Sequence, residues 1–270
     1  MNHTFTARYT VRQYELNSRG ELPNSTLQRL FQETATQASA DAGYGNEWYA
    51  THRNVWVIFE MTLEHLAPIR YLDELSITTW VSDFQRVRSH REYLARNAKS
   101  GEIVARGRAY WAFLNRDTLF PARISPDIIA QFSPNGVRAV PHVDPRSYPA
   151  PRFELPDFRM TRRVYRYEAD EMKHVNNAMY LDWLEEALLE AAQGLASPSQ
   201  ALRIRRHDIT YARAAVPGDD VCIGVHLTGA GECAGAWSLE IKRGEELLVR
   251  DRITTQWIDA SGLPVRWRKA

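Results

Sequence analysis

Two stretches of the chain repeat apolar or small residues at intervals of three and four. They are Leu27, Leu30, Phe31, Thr34 and Ala38 in the first half and Ala178, Leu181, Leu184, Leu188 and Ala191 in the second. That spacing lays one stripe along a helix of about 3.6 residues per turn, so each stretch predicts a helix with a single buried face. The segments that follow alternate apolar and polar positions, as in "WVIFEMTLEHL" from Trp56, "DELSITTWV" from Asp73 and "LRIRRHDITYA" from Leu202. A period of two predicts strands. Turn residues punctuate them: "KSGE" at Lys99, "PGDD" at Pro217 and "KRGEE" at Lys242. Each half therefore reads as a first strand, a helix and several antiparallel strands. This is an α+β arrangement in which a sheet buries the stripe of one helix.

The two halves are copies. Laid over each other at an offset of 153 residues, "YELNSRGELPNSTLQRLFQETA" from Tyr14 and "YEADEMKHVNNAMYLDWLEEAL" from Tyr167 align Asn17 with Asp170 and Glu33 with Glu186. Further on, Asp73-Glu74-Leu75 falls on Asp219-Asp220-Val221, and Asn115 near Asp259. Solenoid repeats have periods of about 20 to 50 residues, so a repeat this long marks two copies of one domain. Between them lie Pro134, Pro141, Pro145, Pro149, Pro151 and Pro156, six of the thirteen prolines. Proline fixes φ and removes a backbone donor, which predicts an extended linker. The expected organisation is an N-terminal domain over 1–133, a linker over 134–158 and a C-terminal domain over 159–270.

Composition narrows the functional classes. With 270 residues, 44% of them hydrophobic, there is enough apolar material for two cores. Lys and Arg number 34 against 33 Asp and Glu, a net charge of +1, which argues against nucleic acid or an anionic membrane as a partner. The start "MNHTFTARYT" has no signal-peptide character, and no run reaches the eighteen or so apolar residues of a membrane span, so a cytoplasmic location is expected. Cys222 and Cys233 stand apart from each other and from histidine at ligand spacing, which predicts reduced thiols and no metal.

The chemistry concentrates in "DEMKHVNNAMYLDWLEEA", residues 170 to 187, where an acid, a histidine and two asparagines lead into the second helix. With "HVNN" at a helix mouth, the duplicated plan, and "SGEIVARGRAYWAFLNRDTLFPARI" in the first copy, the chain resembles the acyl-acyl-carrier-protein thioesterases over nearly its whole length. The resemblance implies a tandem (double) hotdog fold, each copy a long central helix wrapped by an antiparallel sheet. It implies hydrolysis of a fatty acyl thioester on acyl carrier protein, with no cofactor and with the protein a monomer or homodimer. The family's acid and histidine fall on Asp170 and His174. Its asparagine position holds Met172, and Ala214, Ala215 and Val216 occupy the stretch of its later glutamate. The resemblance also assigns the first copy to the acyl chain, with Trp56 and Trp111 among its aromatics, and the carrier's acidity directs attention to arginines. These form three groups: Arg159, Arg162, Arg163 and Arg166; Arg203, Arg205 and Arg206; and Arg86, Arg88 and Arg91.

Hydrolysis needs an attacking oxygen and donors for the oxyanion. Amides at a helix start lack intrahelical partners and sit at the positive end of its dipole, so those of Val175 to Ala178 are candidates to polarise the carbonyl. Asp170 serves as base or nucleophile in this reading, His174 orients the attacking group or protonates the thiolate, and Asn176 and Asn177 position water or thioester. Plainer roles exist for each. Asparagine ahead of a helix is commonly a cap, strand aromatics are commonly core, and Glu186, well inside the helix, reads as structural. Three rival functions stay open: an acyl-CoA thioesterase, a non-catalytic acyl-binding module and a hotdog dehydratase.

Overall fold

The computed structural model describes residues 3–142, 155, 157–193, 195 and 199–266. The chain divides into two units, Met1–Pro141 and His142–Ala270.

In the first unit the predicted helix forms as α1, Asn24–Asp41, with Leu27, Phe31, Thr34 and Ala38 buried as their spacing requires. The strands are β1 (Thr4–Thr10), β2 (Asn54–His65), β3 (Glu74–Gln85), β4 (Arg88–Asn97) and β5 (Ile103–Asn115), all paired antiparallel in the order β1-β3-β4-β5-β2. Each apolar side chain that α1 buries on this sheet contributes about 1.5–3 kcal/mol. Gly107 on β5 makes the close approach possible, because a Cβ there would lie 2.8 Å from both Phe31 and Met61. Two short helices, α2 (Asn46–Thr51) and α3 (Pro126–Phe132), cover the end of the sheet; α3 starts at a serine cap, Ser125, followed by proline.

The second unit repeats the plan. Its helix α4 is Met179–Ala191, and its strands are β6 (Phe158–Arg163), β7 (Gln200–Tyr211), β8 (Asp220–Ala230), β9 (Ala234–Arg243) and β10 (Glu246–Asp259), antiparallel in the order β6-β8-β9-β10-β7. Leu181, Leu184 and Leu188 face the sheet, joined by Tyr180, Trp183 and Ala187, while Ala178, expected inside the helix, is its N-cap. Each unit is thus an α+β layer pair.

The start of the expected linker is part of the first unit. Gly136 N–H donates to the Ser82 carbonyl, Ala139 N–H to Glu92 and the Trp80 indole to the Val137 carbonyl, at 2.9 Å each. Three satisfied polar groups hold this segment on β3 and β4 despite its prolines. The linker residues 143–154 and Pro156 lie outside the described residues. Among the described residues no helix is long and apolar enough to cross a membrane.

Candidate functional site

The loop that carries Asp170 and His174 hangs from one buried carboxylate. Glu168, 2% exposed, closes a 3-10 turn over Arg166–Glu168 by accepting the Tyr165 N–H at 2.7 Å. Its other oxygen accepts from Arg162 at 2.5 Å and from the Trp183 indole at 3.0 Å, and the Arg162 guanidinium lies 4.1 Å over the Trp183 ring. The Glu168 carbonyl takes the Asn176 N–H at 2.9 Å. One residue therefore ties β6, α4 and the loop together. Nothing in the sequence pattern singled it out.

From that anchor the chain makes a tight reversal. Ala169 pairs with Val175, Asp170 N–H donates to the His174 carbonyl at 2.8 Å, and Lys173 N–H donates back to the Asp170 carbonyl at 2.9 Å. Lys173 adopts a left-handed φ of 63°, which costs a side-chain-bearing residue about 1–2 kcal/mol. One Asp170 carboxylate oxygen accepts the Met172 N–H at 2.9 Å. Asp170 is exposed and His174 half-buried; among the described residues no hydrogen-bond partner meets the imidazole. The two side chains are not bonded to each other; only their backbones are.

At the helix mouth most expected oxyanion donors are already engaged. Val175 N–H donates to the Ala215 carbonyl at 2.9 Å, Asn176 N–H to Glu168, and Ala178 N–H to the Asn176 side chain at 3.0 Å. This corrects the expectation for Val175, Asn176 and Ala178: their amides build the turn, and Val175 and Ala178 are buried core residues. The Asn176 side chain shapes the first turn, as a cap would. Asn177 differs, since its N–H meets no acceptor among the described residues, while its carbonyl takes the Tyr211 hydroxyl at 3.3 Å. Ala215, in the stretch that lacks the family's glutamate, lies against this mouth and also donates to the Tyr180 hydroxyl at 2.8 Å. Burial pushes that phenol up to about 12.

The other expected residues take mixed places. Trp56 packs on Phe113 with centroids 4.8 Å apart and donates to the Tyr49 hydroxyl at 3.0 Å; it borders the cluster of Ala42, Val81, Phe113 and Phe132. Trp111 lies on β5 with its indole N–H buried beside Tyr93. Of the arginines, Arg162 is locked on Glu168, Arg206 is paired with Asp208 at 2.7 Å, and Arg91 is buried over the Phe132 ring, which removes all three as exposed docking charges. Glu186 is exposed, whereas its neighbour Glu185 reaches into the sheet to His207. That buried group, Glu185 with His207 and Asp251, was missed; its signal is a histidine and an aspartate at inward positions of two paired strands.

Both halves of the chain match known protein families. The acyl-ACP thioesterase N-terminal domain family matches residues 2–132, and the thioesterase superfamily matches residues 172–250. Oleoyl-acyl carrier protein thioesterase 1, chloroplastic, of Arabidopsis thaliana is 26% identical over 198 residues, covering 68% of this chain and 55% of that protein. A protein assigned as an oleoyl thioesterase from Lactobacillus plantarum has the same fold, with a TM-score of 0.79 at 20% identity over 94% of this chain and 96% of the other. The 12:0-ACP thioesterase from Umbellularia californica gives 0.74 at 16% identity over 95% and 94%. The chain spans about half the length of the curated relatives it matches. The loop at the helix mouth and most of the second unit thus fall in a match to the thioesterase superfamily. Residues 2–132 are similar to the N-terminal domain of the acyl-ACP thioesterase family.

Proposed function

We propose that this chain is a tandem hotdog enzyme that hydrolyses the thioester of fatty acyl-acyl carrier protein, releasing a free fatty acid and the holo carrier protein in fatty acid biosynthesis. One observation carries the reading. The loops at residues 17–22 and 170–175 share a backbone path, yet only the second carries an exposed carboxylate at Asp170 and an imidazole without a partner among the described residues at His174. A fold that makes the same turn twice needs neither group for the turn itself.

In this mechanism Asp170 uses the carboxylate oxygen that is not bonded to Met172 to attack the acyl carbon. The Asn177 N–H, at the positive end of the α4 dipole, takes the oxyanion. The C–S bond breaks with its electron pair on sulfur, and His174 protonates the thiolate. The acyl group is left on Asp170 as an anhydride, which water then opens. The first unit holds the acyl chain among its aromatics, with Trp56 and Trp111 as lining residues. A second reading, an acyl-CoA thioesterase, is favoured by Met172 in place of the family's asparagine.

Thiol release from matched C8 to C18 acyl-carrier-protein and acyl-CoA substrates tests both. Turnover on the carrier forms that collapses in Asp170→Ala and His174→Ala supports the proposal, and preference for the CoA forms moves it to the second reading. No release from either set, with the fold intact, refutes both.

A further inference from the structure

Arg91 on β4 is only 9% exposed, yet among the described residues no hydrogen bond or ion pair reaches its guanidinium. The charge lies 5.2 Å over the Phe132 ring, and its electrostatic neighbours are the phenols of Tyr49 and Tyr93. Burial pushes both phenols up, that of Tyr93 to about 12, so neither ionises near neutrality to balance it. Arginine keeps its proton in a protein even where burial pushes its pKa down. An ion held out of water with no counter-ion is among the costliest groups a core can contain.

Buried charge elsewhere in the chain is matched. Arg108 and Arg162 each meet a buried carboxylate, Glu92 and Glu168. Where α4 meets its sheet, the His207 ring lies between Asp251 at 2.6 Å and Glu185 at 3.0 Å, whereas the α1 junction is closed by apolar contact of Phe31 and Met61 around Gly107. The duplication shows what the place of Arg91 requires. Asn115 and Asp259 end β5 and β10 alike, and six residues before them Ala109 and Ile253 pair with Arg91 and with Trp237 of β9. Trp237 fills that place as core, its indole donating to the Thr255 hydroxyl at 3.0 Å. The fold is thus satisfied by an apolar ring where the first unit has a guanidinium with its donors unused.

We propose that Arg91 anchors a binding site for an aliphatic carboxylate, a hydrocarbon chain whose charged end meets the guanidinium. The planar fork of an arginine presents parallel N–H groups that match the two oxygens of a carboxylate. Phe132 belongs to an apolar cluster edged by partly buried aromatics, among them Tyr44, Trp48, Tyr49 and Trp56. Such walls suit a hydrocarbon and leave the remaining oxygens of a small hydrated anion unsatisfied. Trp48 also lines a hollow of about 550 Å³ between α1 and α2 and meets Tyr49 edge-on with centroids 5.2 Å apart, so the aromatic edge of the cluster reaches open space. Two sources share this chemistry: the free fatty acid that hydrolysis releases, and an acyl chain with a second carboxylate at its far end. Both sources rest on the thioesterase reading above, whereas the site itself does not.

The test is calorimetric titration of the whole chain, wild type and Arg91→Met, with dodecanoate below its micelle-forming concentration, dodecanol and acetate. The wild type is expected to bind one dodecanoate at least about tenfold more tightly than dodecanol or acetate, and Arg91→Met to lose that preference. Dodecanoate affinity in Arg91→Met within about twofold of wild type overturns the inference, as does a wild type that binds dodecanol equally well. Removing an unmatched charge is expected to hold or raise Tm. Arg91→Lys, which keeps the charge without the fork, is expected to fall between the two; dodecanoate bound as tightly by it as by wild type overturns the inference even where Arg91→Met fails to fold. Kinetics separate the sources. If the far end of an acyl chain is the ligand, kcat/KM for the dodecanedioyl over the dodecanoyl thioester falls in Arg91→Met; if the free acid is, that ratio holds and inhibition by added dodecanoate is relieved. Failure of the wild type on every thioester fails the thioesterase reading and leaves the titration to judge the site.

Discussion

Residues 17–22 and 170–175 trace one path with different chemistry. In both, the first amide donates to the fifth carbonyl, Asn17 to Glu21 at 2.9 Å and Asp170 to His174 at 2.8 Å. The fourth amide donates back, Gly20 to Asn17 and Lys173 to Asp170, each at 2.9 Å and each from a left-handed residue, φ 69° and 63°. The third amide bonds to the first side chain, Arg19 to Asn17 and Met172 to Asp170, again at 2.9 Å. Even the preceding turns match, with Glu15 accepting Arg12 N–H and Glu168 accepting Tyr165 N–H at 2.7 Å. Asparagine makes this turn as well as aspartate does, so the charge of Asp170 is surplus to the backbone. Glu21 is buried and flanked by Arg19 at 3.5 Å and Arg70 at 3.7 Å, whereas His174 is left with its ring nitrogens unengaged among the described residues. Pro23 and Asn24 follow in the first loop; Asn176 and Asn177 follow in the second. The difference teaches that the turn is a scaffold shared by both units, and that the proposed chemistry lies in a few replaced side chains.

That comparison breaks most visibly at the reacting groups. Asp170→Ala and His174→Ala are each expected to lower kcat by about a thousandfold with Tm nearly unchanged, read from thiol release and thermal unfolding on the same samples. Next in size is the anchor. Glu168→Ala strands Arg162 and the Trp183 indole and is expected to cost about 3 kcal/mol in urea unfolding, with activity falling as the loop loosens.

A pH comparison sharpens the contrast between the charged and apolar junctions. His207 has a folded pKa of about 10 against about 6.5 unfolded, so its stabilisation is fully present below the unfolded value and is lost as pH rises through the folded one. The stability gap between wild type and His207→Gln, a few kcal/mol near neutrality, is therefore expected to narrow from pH 6.5 to 10 in denaturation series. A gap independent of pH over that window contradicts a charged ring. The smallest effect concerns the left-handed position. Lys173→Gly copies Gly20 and is expected to stabilise by about 1 kcal/mol with turnover unchanged, measured as a shift in the urea midpoint.

Much of this architecture was legible in the sequence because it rests on local periodicity. The stripes of α1 and α4 and the alternation in the strands report burial directly, and the duplication amplified both. What escaped depends on contacts between distant residues. Glu168 matters only because β6 brings Arg162 and α4 brings Trp183 to it. The Glu185–His207–Asp251 group joins three elements, and Glu185 turns inward while Glu186, one residue and about 100° of helix further, faces out. A register shift between Thr254 and Thr255 in the β10–β7 pair further blurs the alternation that would mark His207 as inward. At the helix mouth, spacing indicated a row of free amides, but three are bound by loop atoms whose positions only the folded reversal defines.

The most direct measurement is thiol release from acyl-acyl-carrier protein by the chain carrying Asp170→Asn together with His174→Glu, which places the first loop's chemistry on the second loop's backbone. The account predicts an unchanged Tm and no hydrolysis above background. Turnover near the wild-type rate would contradict it and remove Asp170 and His174 from the reaction.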